Sequence, residues 1–200
     1  MRREIIPRFA EPFGIISDFL DEELRQKLIE KVEDLSQKWV GTGQEVWESN
    51  DKSPKNSFGL DDHGKVYEFN LLSEQVTNEV QGLANELSIA HNFTCVDAWY
   101  NLYTKDQFQE FHNHTPCLFS SIYFCKLPVG SSSVIFNDFT RTKLSSFPEK
   151  RNHTLSEMFN DIYSSPFEEN SLIIFRSHIP HSVPFGNNDE NRITFSFNFI

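Results

Sequence analysis

The hydrophobic period of this chain changes near residue 95. Before that point, Leu20, Leu24, Leu28, Val32 and Leu35 recur at spacings of three and four, and charged residues fill the opposite face. This pattern predicts an amphipathic helix. Asp18 or Asp21 can cap it, because a short acceptor side chain satisfies an amide that the first helical turn leaves unpaired. A second stripe, Val76, Val80, Leu83 and Leu87, predicts another helix with Ser73 as its cap. Pro7 and Pro12 break any earlier helix, so residues 5–17 read as extended and irregular. Residues 40–70 are rich in Gly, Asn, Asp, Lys and Ser, and read as loops with one short strand at Lys65–Asn70.

After residue 95 the period becomes two. Val96–Tyr103 alternates, Cys117–Leu127 is β-branched and aromatic, Val134–Phe136 is short, and Ser171–Phe175 follows a turn at Glu169-Asn170. Arg192–Ile200 alternates over its whole length. Between Asn137 and Asn170 lies a polar stretch in which Thr154-Leu155-Ser156-Glu157 has capping-box form, and Leu155, Met158, Phe159 and Ile162 follow at helical spacing. This segment, 137–170, reads either as a substrate lid or as an ordinary surface insertion. Helices followed by many short strands predict a β-rich α+β domain, a barrel or sandwich with helices packed on one face. The expected organisation is one domain over 1–200, with a helical portion at 1–94 and the strand-rich core at 95–200.

The last strand divides its residues cleanly. Ile193, Phe195, Phe197 and Phe199 point one way, and Arg192, Thr194, Ser196 and Asn198 the other. The apolar row is expected to face the helices, and the polar row to face solvent or a cavity. Asp97, Asn101 and Tyr103 share a face of the first strand with Trp99, which favours a lined cavity.

Composition narrows the function classes. The 200 residues suffice for one domain with a real core, and 20 Phe suit a β-rich one. The 29 acidic against 18 basic residues, net −11, disfavour nucleic acid or an anionic membrane as partner. Cys95, Cys117 and Cys125 are odd in number and form no CxxC, which argues against a disulfide framework and for a reducing cytoplasm. No apolar segment follows Met1-Arg2-Arg3-Glu4, so no secretion signal is expected, and no run is long enough to span a membrane. The Asn-x-Thr triplets at Asn92, Asn113 and Asn152 are then chance.

The candidate chemistry lies in His112-Asn113-His114. On one strand, positions i and i+2 share a face, so both imidazoles can converge on one ion while Asn113 points away. Imidazole suits Fe, Zn, Cu and Ni. A third ligand must come from another strand, and His178 and His181 are the candidates. His63, His91 and His153 read as polar surface. A structural zinc site using His112, His114 and Cys117 would need a fourth ligand.

With these residues in view, the sequence resembles the Fe(II)- and 2-oxoglutarate-dependent dioxygenases, closest to small bacterial and phage proteins related to prolyl hydroxylases. The resemblance covers roughly residues 97–200. It rests on Tyr103 nine residues before His112, on Ser120-Ser121-Ile122-Tyr123-Phe124, on Phe175-Arg176-Ser177-His178-Ile179-Pro180-His181, and on Arg192-Ile193-Thr194-Phe195-Ser196-Phe197-Asn198. It implies a double-stranded β-helix (jelly-roll, cupin-like) with the N-terminal helices on one sheet. It selects His181 over His178 and implies Fe(II) held by His112, His114 and His181. The co-substrate would be 2-oxoglutarate, with Arg192 on its far carboxylate and Tyr103, Thr194, Ser196 and Asn101 around it; O2 completes the set. Succinate and CO2 would be the co-products.

Position 114 departs from the usual carboxylate of the two-His-one-carboxylate triad. His114 is then a third imidazole ligand, a bystander beside an open position, or the mark of an impaired site. Two other functions use the same parts: a cupin-like three-His dioxygenase or isomerase without 2-oxoglutarate, and a non-catalytic jelly-roll binding protein. The substrate is expected to be a small molecule or a peptide, and oligomeric state is open, a dimer included.

Overall fold

A computed structural model describes residues 11–37, 66–105, 107–137, 164 and 167–200, with the backbone alone at 55–56 and 162–163. Helix α1, Glu22–Gln37, starts behind Asp21, whose Oδ1 accepts from the Leu24 amide at 2.9 Å. Its buried face is Leu24, Arg25, Leu28, Ile29 and Val32; Leu24, Leu28 and Val32 belong to the stripe that the spacing predicts, and Leu35 is half-buried. Helix α2, Tyr67–Glu86, begins earlier than expected. Val66 precedes its first turn, and Ser73 lies inside it, with its carbonyl accepting the Thr77 hydroxyl at 2.7 Å. The physical reason is that Phe69 and Leu72, both fully buried, carry the Val76–Val80 stripe back by two turns. Of the strand expected at Lys65–Asn70, Tyr67–Asn70 forms the first turn of α2 instead, and Lys65 lies outside the described residues.

The strands are β1 Gly14–Ile16, β2 Lys55–Asn56, β3 Cys95–Tyr103, β4 Gln109–His112 and β5 Phe119–Lys126, then β6 Ile135–Asn137, β7 Ile162–Ser164, β8 Ser171–Arg176, β9 His181–Val183 and β10 Arg192–Phe199. They form two antiparallel sheets. The larger has the order β1-β8-β5-β10-β3-β2, and the smaller β4-β9-β6-β7. Together they make the expected double-stranded β-helix, with helices on one face of the larger sheet. Ile162 belongs to β7 and pairs with Asn137. The capping box at Thr154–Glu157 and the rest of 138–161, which make up most of the expected lid, fall outside the described residues.

Two apolar layers organise the molecule. In the first, Ile193, Phe195, Phe197 and Phe199 of β10 pack with Ala98 and Tyr100 of β3 and with the buried faces of α1 and α2. Phe195 meets the Phe69 ring edge-on at 5.4 Å between centroids. The second lies between the sheets, where Ile122, Phe124, Ile173 and Phe175 meet Val134, Phe136 and Val183. The N-terminal segment is pinned by Asn170, a positive-φ residue (62°). Its side chain accepts from the Leu20 amide and the Tyr123 hydroxyl and donates to the Leu20 carbonyl. Among the described residues, no helix is long and apolar enough to cross a membrane.

The Phe195→Ala variant removes a fully buried ring from the layer that joins α2 to the sheet. It should destabilise the protein by about 3–5 kcal/mol. Chemical denaturation should show a fall of that size in the unfolding free energy, with a lower midpoint; an unchanged midpoint would mean that the helix–sheet layer is not the principal core.

Candidate metal centre

Strand pairing brings two imidazoles together. His112, the last residue of β4, is in direct register with His181, the first of β9. β4 stops at His112, so His114 does not reach the site as the next-but-one residue of a regular strand. It is held in the following turn by its own amide, which donates to the Ser177 carbonyl at 2.9 Å. The three rings still converge. Their nearest ligand atoms all lie within 4.8 Å of one another. Ring centroids are 4.4 Å apart for His112–His181, 5.0 Å for His112–His114 and 5.1 Å for His114–His181.

The rings are held in a neutral state. His112 Nδ1 lies 2.8 Å from the Glu110 carbonyl, and His181 Nδ1 3.1 Å from the Ile179 carbonyl. A carbonyl oxygen can only accept, so Nδ1 carries the hydrogen in both rings and Nε2 keeps its lone pair for a metal. Burial pushes the pKa of His112 below its ordinary value. Burial, reinforced by His112, pulls His114 down to about 3. Burial, with the other two imidazoles adding to it, holds His181 well below the usual range. The His114 ring lies against the Trp99 indole at 5.5 Å between centroids. His178 is outside this group, exposed, and 3.2 Å from Glu11. Cys117 is also outside it, and all three cysteines are free.

The histidines open onto a cavity of about 340 Å3 between the two sheets. Its wall is the polar face of the larger sheet: Asp97, Trp99, Asn101 and Tyr103 from β3, with Arg192, Thr194 and Ser196 from β10. The polar row of β10 therefore faces a cavity and not solvent. Arg192 sits directly opposite Tyr103 and is only 1 % exposed. Its guanidinium carbon lies 4.7 Å from the Tyr103 ring centroid and 6.0 Å from that of Phe124. None of its three side-chain nitrogens has a hydrogen-bond partner among the described residues. Burial lowers its pKa from the ordinary arginine value, with Tyr103 opposing. Burying a cation without a counter-charge is costly, and an arriving carboxylate would remove that cost through a bidentate pair.

The remaining polar groups are linked. Asn101 Nδ2 donates to Ser196 Oγ at 3.1 Å and to Thr194 Oγ1 at 3.4 Å, while its Oδ1 accepts from the Trp99 indole N–H at 3.1 Å. Both hydroxyls thus accept from Asn101, which leaves their own hydrogens to donate to a bound molecule. All eight residues singled out from the sequence border this one cavity. Gln109, Ile122, Val134 and Val183 also line it and were not singled out. Asp97 and Trp99 were legible as same-face neighbours of Asn101; β4 and β9 are too short to give a periodic signal. Asn113, expected to point away from the metal, is exposed but borders the cavity mouth. The chemistry fits a metal with an anionic co-ligand: three neutral imidazoles at one edge and an orphaned cation within.

Comparison with known proteins agrees. A family model described as "Putative 2OG-Fe(II) oxygenase" matches residues 97–198. No curated protein matches. Among solved structures, HygX from Streptomyces hygroscopicus, with nickel and 2-oxoglutarate bound, superimposes with a TM-score of 0.65 at 10% identity, covering 95% of this chain and 82% of that one. A Pseudomonas putida prolyl-4-hydroxylase gives 0.63 at 12% identity, covering 94% and 92%. The viral collagen prolyl hydroxylase of Paramecium Bursaria Chlorella virus-1 gives 0.57 at 11%, covering 94% of each chain. At such identities the superpositions establish the fold. The family match covers half of the chain, the half that carries both the imidazoles and the orphaned arginine, and the protein belongs to the 2-oxoglutarate- and Fe(II)-dependent oxygenases, which use Fe(II), 2-oxoglutarate and O2.

Proposed function

We propose that His112, His114 and His181 hold the Fe(II) of this oxygenase, that Arg192 binds the far carboxylate of 2-oxoglutarate, and that the product is a hydroxylated small molecule or peptide. The observation that carries the co-substrate assignment is Arg192, a fully buried guanidinium in the cavity wall with no hydrogen-bond partner among the described residues. A cupin-like centre without an oxo-acid would have no use for such a group. Bound together, Fe(II), 2-oxoglutarate and O2 supply the oxidising power, releasing succinate and CO2 while a C–H bond becomes C–OH.

The chain's own part is positioning. The Glu110 and Ile179 carbonyls fix the tautomers of His112 and His181. Arg192 offers a planar fork of donors that a carboxylate can match with both oxygens, which a lysine ammonium cannot. Tyr103 stacks on that fork and restricts its rotation. The hydroxyls of Thr194 and Ser196, aligned by Asn101, donate to the same co-substrate. The wall residues Ile122, Val134 and Val183 are apolar and exclude water from the reacting end. A third imidazole in place of a carboxylate leaves the centre one unit more positive, which tightens its hold on anions. We also assign the reaction to the cytoplasm, consistent with three free cysteines, and the net charge of −11 weighs against a nucleic-acid substrate.

The Arg192→Ala variant should retain stoichiometric Fe(II) and bind 2-oxoglutarate about 100-fold more weakly by anaerobic calorimetry, the size expected when a buried charge loses its partner. Arg192→Lys should recover only part of this. Equal affinity in wild type and Arg192→Ala would remove the oxo-acid assignment. For the metal, His114→Ala should lose most of its bound iron after anaerobic purification. Unchanged iron stoichiometry there would make His114 a bystander.

A further inference from the structure

The cavity-facing row of β3 continues past the residues assigned above. Asp97, two positions before Trp99, is half-buried and borders the same cavity. In register it stands opposite Asn198 of β10, whose side chain hydrogen-bonds its carboxylate. Asn198 is held in turn: its Oδ1 accepts from the Ser120 hydroxyl at 2.8 Å, and Ser120 Oγ lies 2.8 Å from Ser177 Oγ. An amide that accepts through Oδ1 presents its Nδ2 hydrogens elsewhere, here to Asp97. The donors therefore run in one direction, from Ser177 through Ser120 and Asn198 to the carboxylate. All three relay residues are buried. Ser177 also supplies the carbonyl that anchors the His114 amide, so this carboxylate and the metal edge share one support.

Asp97 is thus an oriented acceptor that lacks a counter-charge. None of the ion pairs among the described residues involves it. Burial raises its pKa, opposed only by hydrogen bonds from Asn198 and the Ala98 amide. A carboxylate held partly out of water without a cation is a standing cost, which an arriving cation removes. Beside it, the half-buried Trp99 indole is fixed by its N–H bond to Asn101, and indole is the strongest aromatic partner for a cation. The net charge of −11 draws cations toward the molecule.

We propose that Asp97 is a specificity-determining residue for the prime substrate, and that this substrate carries a cationic nitrogen, an alkylammonium or guanidinium, which pairs with Asp97 beside Trp99. The proposal rests on the oxygenase reading of the cavity and adds the substrate class to it. The cavity is then sorted by charge. Arg192 and Asp97 lie at opposite ends of the paired β3–β10 face, about 20 Å of strand apart. A dicarboxylate is drawn to the first and repelled by the second, and a cationic substrate the reverse, so neither molecule blocks the other's place.

Ligand-observed NMR titrations test this on protein loaded with Zn(II), as a redox-inert substitute for Fe(II), and 2-oxoglutarate. The probes are n-pentylammonium, n-butylguanidinium, neutral n-hexanol and anionic hexanoate. At least one cation should bind about tenfold or more tightly than hexanol, with hexanoate weakest. Asp97→Asn, which keeps an acceptor for Asn198 and removes the charge, should abolish that preference. Equal or undetectable binding of cations and alcohol in wild type overturns the proposal, as does a preference for hexanoate. A cation preference that survives in Asp97→Asn overturns the role of this residue. Failure of the wild-type Zn(II) protein to take up 2-oxoglutarate is a separate result, overturning the reading of the cavity and the proposal with it.

Discussion

The structure depends on the two-sidedness of β10. This strand is paired on both edges, with β3 and with β5, so its backbone is satisfied and its side chains are free to serve two unlike faces. One face, Ile193 to Phe199, is the floor on which α1 and α2 pack. The other, Arg192, Thr194 and Ser196, is the wall of the cavity. A slip of one residue in its register would exchange the two sets, placing a guanidinium among phenylalanines and aromatic rings in the binding site. Folding and the lining of the cavity are therefore fixed by the same alternation.

That arrangement carries a thermodynamic tension. The helix–sheet layer is dense with rings, Phe69, Tyr100, Tyr123 and Phe195 among them, and supplies apolar burial. The opposite layer spends part of that stability on burying polar groups. Arg192 is buried with no hydrogen bond among the described residues, and three imidazoles are crowded where protonation is disfavoured. Under the proposed site assignment each would become favourable once the cavity is filled, the imidazoles by a metal and the guanidinium by a carboxylate.

The strands that the chain repeats over many residues were legible without coordinates. β3 and β10 alternate over enough residues to show a period of two, and β5 and β8 stand out as apolar runs; the split of β10 predicted the helix contact, and the Trp99 face of β3 favoured a cavity over solvent for its polar row. Two short strands were not legible: β4 and β9 are four and three residues long, and their pairing is what aligns His112 with His181. The start of α2 differs from the expectation because Ser73 has the chemistry of a cap, while the signal against it, Phe69 and Leu72 extending the stripe, begins inside the stretch 40–70 that composition marked as loop. The grouping of His112, His114 and His181 with Arg192 was read from motif and resemblance. The turn that delivers His114 depends on a hydrogen bond to Ser177, 63 residues away in sequence, which no local pattern encodes.

The central claim is that one cavity holds iron and an oxo-acid together. Anaerobic visible absorption of the protein with Fe(II), recorded before and after adding 2-oxoglutarate, tests it most directly. The account predicts a weak charge-transfer band that forms only when both are present. Iron that binds stoichiometrically yet gives no band with 2-oxoglutarate would contradict it.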